Sequence, residues 1–268
     1  MAGVLRTACR AAAAFTSRGA FAQQLRQAFT SAVEAPTVWV FLGPPGVGKG
    51  TYSVRVAKAF GMDHIAAGDL VRAEMKSGSQ LGAEMKSIVD TGALLPDALI
   101  LKVMRERMRL SSSRGITSFL LDGFPRTAEQ ADALEEIGNV QLALNLSLRQ
   151  EILVEKCMGR RICKKCGSNY NIADIYLPAT ADQPEIVMPP LDPPTACLPH
   201  LEQRSDDNEP TIRRRLEVYH AAARPVEEFY AARGTLVDFE ITGGIPETLP
   251  RLLEVLKGLP SQQEAAVA

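Results

Sequence analysis

Residues 38–52 read VWVFLGPPGVGKGTY, an apolar run joined to a glycine-rich turn, a lysine and the start of helical spacing. That order constrains the fold more than any other stretch. It fits a buried strand, a loop whose amides turn inward, and a helix whose N-terminus faces the loop. Gly43, Gly46 and Gly48 permit the turn because they lack a Cβ, and the positive end of the following helix adds to the amide nest. Lys49 supplies a mobile positive charge. The result is a phosphate-binding loop; the competing reading is a tight strand-to-helix turn with no ligand. Gly50 intervenes between the lysine and Thr51, so the magnesium contact usual for a hydroxyl directly after the lysine does not follow from spacing.

A chain of 268 residues, 46% hydrophobic and 23% charged, can bury one sizeable core and carry small appended domains. Residues 1–33 differ from the rest, because Arg6, Arg10, Arg18 and Arg26 are their only charged side chains and Glu34 is the first acid. This is transit-peptide composition, with a helical or disordered arm as the alternative. Beyond it stand 26 basic and 31 acidic side chains, which points away from a nucleic-acid or anionic-membrane surface. No apolar stretch approaches membrane-spanning length.

Strand-length apolar runs recur at 38–42, 119–122, 143–148 and 236–241, with helical patterns between them. In 97–109, Ile100, Val103, Met104 and Met108 recur at three- and four-residue intervals. Alternation of this kind predicts an α/β fold, a parallel sheet covered by helices, with ligands beyond the carboxyl ends of the strands. Residues 163–207 break the rhythm: eight prolines crowd 178–210, and a separate small domain is expected. Asp206, Asp207 and Asn208 before Pro210 predict the cap of a helix that carries Ile212, Leu216 and Tyr219 inward.

Phosphoryl transfer needs anionic groups held in line, water kept out and developing charge met by fixed cations. Beyond Lys49, the sequence places Arg72 after Gly68-Asp69, Arg126 after the 119–122 strand, Arg160 and Arg161 before the proline-rich segment, and Arg204 and Arg215 after it. Guanidinium groups bind phosphate oxygens through two donors at once. Any one of these arginines alone reads as a solvated charge; their clustering at strand ends and segment boundaries favours a site. Asp122, ending an apolar strand, is a candidate for orienting magnesium waters, or else a partner for Arg126.

GPPGVGKGT at 43–51, AGDLVR at 67–72, LDGFPRTAEQA at 121–131, GRR at 159–161 and the stretch from QRSDD to RRRLEVYH at 203–220 resemble adenylate kinases with a long lid, in the family's order, most like the plastid enzymes of plants and algae. The resemblance implies an adenylate kinase domain over 34–268, comprising a P-loop core, an insert for the nucleoside monophosphate at 66–95 and a mobile lid at 160–207. It implies MgATP, AMP and ADP as partners, with reversible transfer giving two ADP, and a monomer. Gly46, Val47, Gly48, Lys49, Gly50 and Thr51 would hold the ATP phosphates, with Arg160 helping from the lid. Arg72 and Arg126 would clamp AMP, Gln130 would read its adenine, Leu95 would give a backbone contact, and Ala67 and Gly123 would line its place. Arg204 and Arg215 would bridge the transferring group.

Three positions depart from the family pattern. Ala67 stands where threonine is usual, as in kinases for pyrimidine monophosphates, so a UMP/CMP kinase is the nearest rival reading; Gln130 and the long lid favour AMP. Lys156 replaces an arginine expected to stack on the ATP base. In the lid, zinc ligands would map to Cys163, Cys166, Cys197 and Pro194, and proline has no ligating side chain. Either His200 completes the set, or prolines and packing hold the lid; the second is expected. A non-catalytic nucleotide-binding module is a further rival, opposed by the retention of every cation facing phosphate. The resemblance of the whole chain to plastid enzymes implies a plastid, its stroma in particular, while the arginine-rich N-terminal segment equally suits the mitochondrial matrix, the alternative.

Overall fold

Four of the strands that build the central sheet were marked by their apolar runs, and one was not. The structure, a computed structural model, describes residues 35–90, 95–204 and 206–259; the expected transit peptide, 1–33, lies outside them, as do residues 91–94 of the expected insert. The first half runs β1 (Thr37–Leu42), α1 (Lys49–Phe60), β2 (Asp63–Ala66), α2 (Ala67–Lys76), α3 (Gln80–Asp90), α4 (Asp97–Ser112), β3 (Ser118–Asp122), α5 (Ala128–Glu135) and β4 (Asn139–Ser147). The second runs α6 (Gln150–Met158), β5 (Arg160–Cys163), β6 (Asn169–Asn171), β7 (Ile175–Leu177), β8 (Ile186–Met188), β9 (Leu201–Glu202), α7 (Glu209–Ala231), β10 (Leu236–Glu240) and α8 (Ile245–Lys257).

The sheet has the order β10-β4-β1-β3-β2, with every neighbouring pair parallel. Both of its faces are buried, which is why its inner strands read as continuous apolar runs. On one face Val38, Val40, Phe119 and Leu121 pack with Met104 and Met108 of α4 and Tyr230 of α7. On the other, Phe41, Leu144 and Leu146 pack with Val56 of α1, Leu153 of α6 and Leu252 of α8. Each such side chain contributes about 1.5–3 kcal/mol on burial, so the sheet is the rigid platform of the molecule. β2, DHIA, escaped the sequence reading because it is an edge strand with one buried residue, Ile65. β4 also starts earlier than its run suggests, since residues from Asn139 onward pair with β1 across a register shift.

The 163–207 region forms strands of its own, β5 pairing with β6 and β9, and β7 with β8. Yet the inner side of the β7–β8 hairpin, Ile175, Ile186 and Met188, joins the main core cluster. Asn208 caps α7, its side chain accepting from Thr211 N at 3.1 Å, and Ile212 and Leu216 are buried as their spacing predicts. Among the described residues, no helix is long and apolar enough to cross a membrane.

Candidate active site

The chain leaves β1 at Leu42 and wraps the start of α1. Gly46 lies at φ +88°, and a Cβ there would come within 2.6 Å of the Leu153 carbonyl oxygen and 2.9 Å of Cys157 Sγ. Only glycine fits that close approach, so α6 sets the shape of the loop from behind. Lys49 Nζ donates to the carbonyls of Gly43 and Pro44, at 2.6 and 2.9 Å. Burial pulls its pKa down to about 8; Asp122 works against that shift, while Arg126 and Arg215 add to it. A phosphate would relieve this crowding of positive charge.

β3 runs beside β1 and delivers Asp122 to the same end of the sheet. Burial pushes its carboxyl pKa up, opposed by Lys49 and His64. The bare Cα of Gly50 leaves room for it, because a Cβ there would sit 3.1 Å from Asp122 Oδ2. His64, at the second position of β2, has its Nε2 2.9 Å from Ser53 Oγ. Burial lowers its pKa against the pull of Asp122, Asp69 and Asp63. Nothing in the sequence marked His64, since it belongs to the unrecognised strand.

Three further groups of cations face this centre. Arg72, on α2, pairs with Asp69 one turn before it, both largely exposed. Arg126 donates from Nε to Gly123 O at 2.9 Å. On the other side Arg160 reaches Asp207 through two nitrogens, Nε at 2.8 Å from Oδ2. Arg215 Nη1 meets Asp206 Oδ2 at 2.6 Å. Arg204 is held more loosely: Nη2 lies 3.4 Å from Asn169 Oδ1, and its buried Nε has no partner among the described residues. Burial lowers its pKa, and Arg160 and Arg72 add to the effect.

Lys49, Asp122, Arg126, Arg160, Arg204 and Arg215 all line one cleft of about 1280 Å³. Gly46, Gly48, Gly50 and Thr51 line it too, as do Arg72 and Gly123. The volume exceeds the 300–1,000 Å³ usual for one small ligand, leaving room for two. Val47, Ala67, Leu95 and Gln130 do not line the cleft: Val47 and Ala67 are buried, and Gln130 is 4% exposed. The Gln130 amide is engaged at both ends, Oε1 accepting from Arg126 N at 2.7 Å and Nε2 donating to Asp97 Oδ1 at 2.6 Å. Arg161 turns aside, its Nη1 donating to the carbonyls of Met158 and Arg160. Lys156 lines the cleft near Met188, its Nζ 3.6 Å from the sulfur, and burial lowers its pKa to about 8.

In the proline-rich region, the sulfurs of Cys163, Cys166 and Cys197 lie within 4.8 Å of one another, and His200 is not part of the group. The Pro194 carbonyl accepts from Cys197 N at 2.7 Å. Three sulfur donors converge, one short of the four that close a structural zinc site.

Comparisons with known proteins agree with one another. The family model "Adenylate kinase" matches residues 41–235. The chain is 47% identical over 230 residues to "Probable adenylate kinase 6, chloroplastic" of Arabidopsis thaliana, covering 86% of this chain and 78% of the relative. It is 46% identical over 224 residues to "Adenylate kinase" of Solanum tuberosum, covering 83% and 78%. Against "Adenylate kinase" of Caldicellulosiruptor bescii it is 39% identical over 225 residues, covering 82% and 97%.

Proposed function

Because the chain belongs to the adenylate kinase family and transfers a phosphoryl group from ATP to AMP, we propose how its own residues divide that reaction. The carrying observation is the convergence of Lys49, Arg126, Arg160, Arg204 and Arg215 on one cleft around Asp122. The loop amides and Lys49 hold the donor phosphates, with Arg160 closing on them from the lid. Arg72 and Arg126 hold the AMP phosphate. Arg204 and Arg215 meet the group in flight, where charge spreads over its equatorial oxygens and fixed donors lower the barrier most.

The oxygen donors suit magnesium bound with ATP, since Asp122 and Thr51 line the cleft beside Lys49. When bound, the ion would neutralise phosphate charge. Asp122 would hold its waters, and the loop would keep the donor aligned. Ala66, the residue before α2, offers its N-terminus no capping side chain, and Ala67 brings only a buried methyl. Base selection therefore falls to other groups on the AMP side. Gln130 reaches a base only by releasing Asp97, so its present partners make it first a brace for the Arg126 backbone.

We assign residues 66–95 to the AMP insert and 160–207 to the lid, and take the enzyme as a monomer. Relatives named chloroplastic support a plastid location; within it we assign the stroma. A coupled assay of ADP formation from MgATP with AMP, CMP and UMP tests the substrate reading. AMP is expected to lead in kcat/KM, and a lead by CMP or UMP would reverse it.

A further inference from the structure

The thiol group in the lid stands apart from the chemistry of the cleft. Cys166, in the turn between β5 and β6, is exposed, and its sulfur lies 3.7 Å from that of half-buried Cys197. Cys163, at the end of β5, is fully buried behind them. Among the described residues, no other His, Cys, Asp or Glu joins the group. The fourth corner that a closed zinc site requires is therefore unfilled by any of these side chains.

We propose that Cys166 and Cys197 form a reversible disulfide that braces the lid. A disulfide bond is about 2.05 Å long, so modest side-chain rotation would close the gap from van der Waals contact. The oxidant is another disulfide, of a small thiol or of a dithiol protein. The exposed Cys166 thiolate attacks one of its sulfurs and releases the other as a thiolate. Cys197, losing its proton, then displaces the attached sulfur to close the intramolecular bond. Two thiols of the lid are oxidised and one external disulfide is reduced to two thiols.

The bond would join the β5–β6 turn to the segment entering β9, two limbs already paired through Cys163 and Leu201. Between the two cysteines lie 30 residues, among them the β7–β8 hairpin and the proline-rich stretch. A cross-link of that span restricts the unfolded lid far more than the folded one. Arg160 begins β5 and Arg204 follows β9, so the brace would steady the limbs that bring both cations to the cleft without touching either.

The full chain, purified under strong reductant and dialysed, would be equilibrated with glutathione disulfide, then alkylated, weighed and peptide-mapped. The expected result is a mass two alkyl groups short of the fully reduced, alkylated protein, with a single Cys166–Cys197 link that dithiothreitol reverses. Limited proteolysis within residues 178–196 should slow by roughly tenfold on oxidation. That difference should vanish in Cys197→Ser while wild-type protein keeps it. Stoichiometric zinc in the freshly purified protein, a Cys163–Cys166 link, no link at all, or a link that leaves proteolysis unchanged would each overturn the proposal.

Discussion

The phosphate loop and the lid both present cations to the same cleft, but they hold them by different means. Lys49 rests on carbonyls of its own loop, and that loop is shaped by direct backbone contact with α6. Arg160 in the lid and Arg215 on α7 just after it rest instead on the carboxylates of Asp207 and Asp206, and Arg204 Nε has no partner among the described residues. Carbonyls carry a partial charge and yield readily to a phosphate, while the backbone that bears them stays put. Carboxylates are full charges, stand where anionic oxygens will come, and must be exchanged or shared when they arrive. The loop is thus a preformed seat and the assigned lid a set of grips held on stand-ins, an arrangement that would suit closure over substrates and release of products.

Removing the seat's charge should have the largest effect. Lys49→Ala, like Arg126→Ala across the cleft, should lower kcat by roughly two to three orders of magnitude, the scale for one preorganised donor to transition-state charge. Both variants should still fold, because neither side chain belongs to the apolar core. A variant within twofold of the wild-type rate would take that residue out of the site.

The lid's grip should show itself in stability first. Asp207 has a fully buried side chain and holds Arg160 at two points, so Asp207→Ala leaves a largely buried guanidinium unpaired. The cost should be about 3 kcal/mol in denaturant unfolding, with the KM for MgATP rising more than that for AMP. Equal changes in both KM values would place Arg160 outside the donor side.

Gln130 separates two roles by two readouts. If it braces Arg126 and Asp97, Gln130→Ala should cost about 1–2 kcal/mol of stability through lost buried hydrogen bonds, with the AMP-to-CMP preference in kcat/KM little changed. A preference that collapses while stability holds would make it the reader of the base.

The smallest effect is a pH slope. Lys49 has a folded pKa of about 8 against an ordinary 10.5, held down chiefly by burial. The unfolded chain therefore binds more protons between those values, and stability should rise with pH across roughly 8 to 10.5. Lys156, similarly buried and also near 8, contributes in the same direction. Denaturation midpoints across that window should climb less steeply in Lys49→Met than in the wild type; parallel slopes would mean that Lys49 is already solvated as in the unfolded chain.

The same contrast governs what could be read from residues alone. The loop was legible because its function is written in backbone needs: glycines where no Cβ fits, a lysine at fixed spacing, a buried strand before it. The arginines of the lid were legible as residue types, but their carboxylate partners were not. Asp206, Asp207 and Asn208 read together as helix-cap residues; Asn208 does cap α7, while the two aspartates hold Arg215 and Arg160. β2 and His64 were missed because an edge strand with one buried side chain leaves no apolar run. Gln130 was given to adenine by resemblance, while its contacts depend on Asp97, 33 residues away in sequence. The docking of the β7–β8 hairpin on the core was hidden by prolines that mark the segment as irregular.

The central claim, that lid and loop cations converge on one phosphoryl group, rests most heavily on Arg204 and its unpartnered buried nitrogen. Steady-state kinetics of Arg204→Ala with MgATP and AMP test it directly. The account predicts a fall in kcat of about two orders of magnitude with both KM values changed only a few-fold, the pattern of a contact made in the transition state. A kcat within twofold of wild type, or a loss confined to KM for one substrate, would contradict it.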